Sequence, residues 1–158
     1  MSVTGGTSAG VGTFTWTATA TDNAGNTTVL RGTYRVTYRF DGFLQPINDT
    51  AHQVGTSTSV FKAGSTVPVK LQLKDTAGNL VTPVTAPEWL TPVKGSSMTV
   101  PVDESVYSLS GDSGTAYKND GGGQWSYNWK TGSTVGSYWR VGFSLDDGST
   151  YYVNICLR

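Results

Sequence analysis

The chain has 158 residues with 11 basic and 11 acidic side chains, one histidine and one cysteine. That length suits one domain, or one domain with part of another, and it buries a core without covalent staples. Charged residues make up 14%, against roughly 25% in an ordinary globular protein, and Thr, Ser and Gly fill the surface instead. The net charge is zero, and no basic cluster supplies the field that a phosphate backbone requires, which argues against nucleic acid and anionic membrane as partners. No apolar run is long enough to cross a bilayer, and no charged-apolar-small signal segment opens the chain. Met1 stands directly before a Ser/Thr/Gly stretch and reads as the start of an excised piece. Cys156 has no second cysteine to pair with, so an internal disulfide is excluded.

In chain order, Ser2–Gly12 is small, polar and without period, and reads as a loop or frayed start. From Thr13 the alternation is strict: Phe14, Trp16, Ala18 and Ala20 face one way and the intervening threonines the other. The turn Asp22–Asn26 reverses the chain, and a second strand returns with Leu30, Tyr34, Val36, Tyr38 and Phe40 on one face. Arg31, Thr33, Arg35, Thr37 and Arg39 lie on the other, which is a hairpin pattern. Pro46 and the Asn48-Asp49 pair break it, and a module junction is expected near Asp41. Ala51–Ser59 reads as a polar loop.

Val60–Val81 is the most informative stretch. Val67, Val69, Leu71 and Leu73 point one way and Pro68, Lys70, Gln72 and Lys74 the other, as on a sheet with one dry face. Asp75–Asn79 then repeats the Asp-x-Ala-Gly-Asn turn of Asp22–Asn26. Gly78 supplies positive φ, and the flanking Asp and Asn bond neighbouring backbone. Prolines through Thr82–Val102 allow only short or edge strands. Glu104–Asn119 is Ser/Gly/Asp-rich, anchored by Val106, Tyr107 and Leu109. Three further rows follow: Trp125, Tyr127 and Trp129; Trp139, Val141, Phe143 and Leu145; Val153, Ile155 and Leu157. Asp146–Ser149 closes the last hairpin. No helical period appears. The expectation is an all-β chain forming an antiparallel β-sandwich.

Two resemblances accompany these patterns. Thr13–Val36, TFTWTATATDNAGNTTVLRGTYRV, resembles the last two strands of bacterial immunoglobulin-like repeats. The remainder, about Tyr38–Arg158, is similar to the PxKF-type domain of secreted actinobacterial multidomain proteins. The matching pieces are FDGFLQPIND, VFKAGSTVPVKLQLKD with its AGN turn, GQWSYNWKT and LDDGSTYYVNICLR. The motif reads Pro68-Val69-Lys70-Leu71, with Leu in place of Phe. Many members of that family carry a cysteine before the penultimate strand, where this chain reads Gly136-Ser137-Tyr138-Trp139-Arg140, so a disulfide is not expected there. The resemblance implies an immunoglobulin-like sandwich over 41–158, with the 1–40 segment as a hairpin packed on it or extending its sheet. It also implies export or cell-surface display, attachment to a larger protein such as an extracellular enzyme, and no catalytic residues.

The residues with chemical potential read mainly as structural. His52 is the lone histidine, in a polar loop beside Asp49 and Gln53, and lacks the partners of a triad or zinc site. Asp103-Glu104 and Asp146-Asp147 are sequence neighbours, not carboxylates facing across a cleft. Calcium is the one cation with oxygen-rich candidates, Asp112, Asn119 and Asp120, or Asp22, Asn23 and Asn26, but no spacing matches a known loop. Lys70, on the face opposite Leu71, reads as solvated, which speaks against a Lys–Asn or Lys–Asp crosslink of the kind some surface modules carry. Five Trp, eight Tyr and five Phe are the sharpest functional hint. Most of them, Trp16 included, fall in apolar rows and read as core.

Trp89 in its Pro-rich segment, and Tyr138 and Tyr152 on polar parity, are left over as candidate exposed rings. With Asn128 and Asn154 nearby in pattern, they define a possible polysaccharide-binding set. The expected function is a monomeric, non-catalytic spacer or accessory module whose partners are other domains of the parent polypeptide. The alternatives are a carbohydrate-binding module and a protein-binding adhesive domain.

Overall fold

The computed structural model describes residues 1–47, 59–95 and 114–158. Among these residues there are only strands and turns: β1 (Ser2–Gly5), β2 (Gly12–Thr21), β3 (Thr27–Val36), β4 (Arg39–Phe40), β5 (Ser59–Phe61), β6 (Thr66–Lys74), β7 (Glu88–Gly95), β8 (Lys118–Gly121), β9 (Gln124–Lys130), β10 (Ser137–Ser144) and β11 (Thr150–Leu157). They form three sheets, with strand orders β1-β2-β3, β5-β11-β10-β7 and β4-β6-β9-β8. The two four-stranded sheets face each other as a sandwich. All pairings are antiparallel except β5 with β11, which is parallel.

Side-chain parity builds the core. Val67, Val69, Leu71 and Leu73 of β6 are each fully buried. On the neighbouring β9, Trp129, Tyr127 and Trp125 stand opposite Val67, Val69 and Leu71. The facing sheet contributes Trp139, Val141 and Phe143 from β10 and Val153, Ile155 and Leu157 from β11, all buried. Rings lock the layers together: Trp129 meets Trp139 edge-on at 6.0 Å between centroids, and Phe40 meets Phe143 at 5.1 Å. Each such ring removes on the order of 150–250 Å² from water, so burial is the dominant stabilising effect here.

Pro92 fits the expected edge position. β7 is the last strand of its sheet, and its register with β10 shifts between Arg140, opposite Val93, and Gly142, opposite Leu90. The bulge accommodates the residue that lacks an N–H.

The amino-terminal region departs from the sequence reading in three ways. Ser2–Gly5 is not a loop: it is an edge strand paired with Phe14–Thr17. The returning strand of the hairpin ends at Val36, not Phe40. Arg39 and Phe40 pair instead with Lys74 and Leu73 of the sandwich, so the chain passes from one sheet to the other at Thr37-Tyr38. The β1-β2-β3 sheet thus extends neither sandwich sheet. Trp16 is half-buried, not core; its indole lies over Gly32, where a Cβ would come within 2.7 Å of Nε1.

The aromatic interior holds a polar group without a partner. Tyr117 is buried, and its hydroxyl has no hydrogen-bond partner among the described residues. Burial pushes its pKa up. Tyr127, by contrast, donates from its hydroxyl to the Gly114 carbonyl at 3.0 Å. Tyr117→Phe is therefore expected to hold or raise stability by about 1 kcal/mol, and Tyr127→Phe to lower it by about the same. A raised tyrosine pKa means that the folded state keeps its proton longer than the unfolded state. The fold is therefore unaffected by this group below about pH 10 and loses stability relative to the unfolded chain as pH rises further. Denaturant melts of the two variants at neutral and alkaline pH check both statements, with Tyr117→Phe softening the alkaline loss.

Candidate functional site

The outer face of the β10–β11 pair brings together three of the five residues expected to bind sugar. Tyr138, Arg140 and Gly142 alternate outward on β10, opposite Cys156, Asn154 and Tyr152 of β11. Tyr152 is 42% exposed, yet its ring is not an open platform. It rests on Gly142, where any Cβ would collide with the ring and with the Tyr151 carbonyl. The Arg140 guanidinium lies 4.7 Å from the ring centroid, a cation–π contact that occupies the surface a pyranose would use. Tyr138 and Asn154 are half-buried on the same face.

The other two residues fall elsewhere. Trp89 is 3% exposed and stacks on Tyr127, with centroids 4.4 Å and planes 9° apart. It is a core ring and not a surface one; the prolines around it mark an edge strand whose inward residue is Trp89. Asn128 is exposed on β9, in the opposite sheet. Sequence parity assigns a face but not a sheet, which is why these residues looked like one set.

The most constructed polar site lies where the β1–β3 sheet meets the sandwich. Asp147, 3% exposed, sits in the β10–β11 turn. Its Oδ1 accepts from Ser149 N at 2.6 Å, and its Oδ2 accepts from Tyr38 N at 2.7 Å, 109 residues away in sequence. Arg35 Nη2 donates to Ser149 Oγ at 2.9 Å. Asp146 Oδ2 accepts from Thr85 N at 3.0 Å. Burial, and then the nearby Asp146 charge, raise the Tyr38 pKa well above its usual value. An apolar cleft of about 180 Å³ flanks this junction, lined by Val11, Val36, Tyr38, Thr76 and Val81 among others. Sequence reading treated Asp146–Ser149 as a turn alone. The Asp-x-Ser spacing signals the local bond to Ser149, but nothing in the sequence signals the bond to Tyr38.

Asp22, Asp75 and Asp41 also serve the backbone or local ion pairs. Asp22 accepts from the amides of Ala24 and Asn26, each at 2.9 Å, and from the Asn26 side chain at 2.8 Å. Asp75 repeats this with Asn79, at 2.8 Å from its amide and 2.9 Å from its side chain. The recurring Asp-x-Ala-Gly-Asn sequence is thus one turn geometry built twice. Asp41 bridges Arg39 at 2.7 Å and Lys74 at 2.8 Å. Asn119 Oδ1 accepts from Gly121 N, and Asp120 accepts from Gln124. Among the described residues, no group of three or more His, Cys, Asp or Glu side chains is arranged to hold a metal ion. Lys70 is half-buried on the outer face of β6, opposite Ser126. Cys156 is a half-buried free thiol. His52, Asp49, Gln53, Asp103, Glu104 and Asp112 lie outside the described residues.

Compared with known proteins, the chain matches no family model, no curated protein and no solved structure. What the coordinates establish is the class: an all-β chain with a two-sheet sandwich and an attached three-stranded sheet.

Hydrogen bonds from the Asn79 side chain and amide hold the Asp75 carboxyl below the usual carboxylate range, and Asn26 does the same for Asp22. A lowered pKa means that the contribution is present above the unfolded value near 4 and lost as pH falls through the folded one. The gap in melting temperature between the wild type and Asp75→Ala is therefore expected to be widest near neutral pH and to close on acidification to about pH 2. Thermal melts across that range check it.

Proposed function

We propose that the chain is a non-catalytic accessory module, an immunoglobulin-like sandwich that sets the spacing and orientation of neighbouring domains in a secreted or cell-surface protein. The observation that carries this reading is the junction at Asp147. One buried carboxylate grips the crossing segment and its own turn at once, and Arg35 adds a second tie. Such a joint transmits orientation, which a spacer needs and a flexible linker lacks. Asp22, Asp75, Asp146 and Asp147 accept from backbone amides and Asp41 sits in local ion pairs, which is the pattern of a scaffold. The resemblance of Tyr38–Arg158 to PxKF-type domains supports export and attachment to an extracellular enzyme.

A glycan-binding role has one observation in its favour, the shared outer face of Tyr138, Tyr152 and Asn154. The Arg140 contact on Tyr152 weighs against it.

The test is a distance measurement between spin labels at Thr19, on the β1–β3 sheet, and Lys130, on the sandwich. The wild type is expected to give one narrow distribution. Asp147→Ala removes two charge-assisted acceptors, at a cost of about 1–3 kcal/mol each, and is expected to broaden the distribution while the sandwich stays folded. A broad wild-type distribution would reject the spacer reading.

A further inference from the structure

The joint between the β1–β3 sheet and the sandwich is not filled. On the sheet side, the turn between β1 and β2 is closed by Thr7 N donating to the Val11 carbonyl at 2.7 Å and Gly10 N donating to the Thr7 carbonyl at 2.9 Å. This turn faces the sandwich with Ala9 and Gly10, a single methyl group and no side chain. A Cβ added at Gly10 would meet no atom within 4 Å. On the sandwich side, Val81 is held beside β6 by its amide, which donates to the Leu73 carbonyl at 2.9 Å. Small residues across from Val81 leave the cleft of about 180 Å³ open between them. Its walls come from both parts of the molecule: Val11 and Val36 from the sheet, Tyr38 from the crossing and Val81 from the sandwich.

The chemistry and size of the cleft select its occupant. Both charged residues of the lining are engaged elsewhere, Lys74 Nζ with Asp41 at 2.8 Å and Asp75 with the amide and side chain of Asn79. Thr37 and Thr76 are exposed and offer only hydroxyls. An ion or a sugar would lose its water there without gaining a set of fixed partners. An apolar molecule gives up no such partners, and it takes the valine methyl groups out of water. A cavity of roughly 150 Å³ lined by apolar side chains stays dry and admits benzene. The cleft here is of that order, so it holds one ring and is too small for a peptide segment or the face of a protein.

We propose that this cleft binds one small uncharged apolar molecule, of the size of a single-ring hydrocarbon, that touches both parts of the chain at once. Because the walls belong to both parts, such a ligand is held only where they are joined, and it favours that arrangement over a looser one. The cleft is open to solvent on one side, so burial is partial and the Kd for a six-carbon ring is on the order of 1 mM. The proposal goes beyond the spacer reading and stands without it.

Benzene is the probe, titrated into the whole chain to about 10 mM and followed by NMR shifts of amides and methyl groups. Saturable shifts are expected at Val11, Val36 and Val81. Ala9→Leu places a branched side chain in the gap from an exposed position, so the fold is kept, and it is expected to weaken binding at least tenfold. Thr19→Leu, at the far end of β2, leaves binding unchanged. Benzoate, the same ring carrying a charge, is expected to bind at least tenfold more weakly than benzene. The proposal is overturned by shifts that do not saturate, or by shifts that centre on Leu30 and Tyr34 instead of the cleft. Unchanged affinity in Ala9→Leu overturns it as well, as does benzoate bound as tightly as benzene.

Discussion

The buried carboxylate of Asp147 is the polar contact that fixes how the β1–β3 sheet joins the sandwich. A charge removed from water is costly unless fixed donors replace its hydration. Here two backbone amides do so, at 2.6 and 2.7 Å. One belongs to the turn that carries the aspartate and the other to the crossing between sheets. The bond to Tyr38 thus fixes the direction in which the chain leaves the β1–β3 sheet and enters β4. Arg35 reaches the same turn from the last strand of that sheet. Apolar packing supports the same junction: Val11 and Tyr38 are buried in the common core, and Val36 packs against it.

The sandwich itself depends on a simpler constraint. Its inward rows are bulky and nearly all apolar, so any slip of register by one residue would turn a complete row towards water. That is why β6 and β9 were legible from sequence: Val67 to Leu73 and Trp125 to Trp129 alternate without error, and each expected inward residue is buried. The β10–β11 hairpin was legible for the same reason. β1 was missed because Ser2–Gly5 has no bulky alternation; an edge strand of four residues is held by backbone bonds to a neighbour, and those leave little trace in side-chain pattern. Trp89 was misjudged because the prolines that mark an edge strand also look like a loop, while its inward position is set by the register of β7 with β10.

The candidate site was less legible than the fold, for a definite reason. Parity says which side of a strand a residue occupies, but not which strands share a sheet. Asn128 and Tyr138 both point outward, on opposite sides of the sandwich. Tyr152 points outward beside Tyr138, but the missing side chain at Gly142 lets its ring lie flat, and Arg140 covers it. Conversely, Trp16 was read as core because it falls in the apolar row of its strand, and one oily face normally implies a cover. The sheet has that face; Val36 at one end packs against the sandwich core, while Val3, Leu30 and Tyr34 are exposed.

The account of a scaffold with a fixed joint is tested most directly by hydrogen exchange at the Tyr38 amide. If Asp147 holds the crossing segment as described, this amide exchanges as slowly as those of β6 and β10 in the sandwich, because its release requires breaking a buried charge-assisted bond. If it exchanges at the rate of an exposed linker while the sandwich amides stay protected, the joint is loose and the account is contradicted.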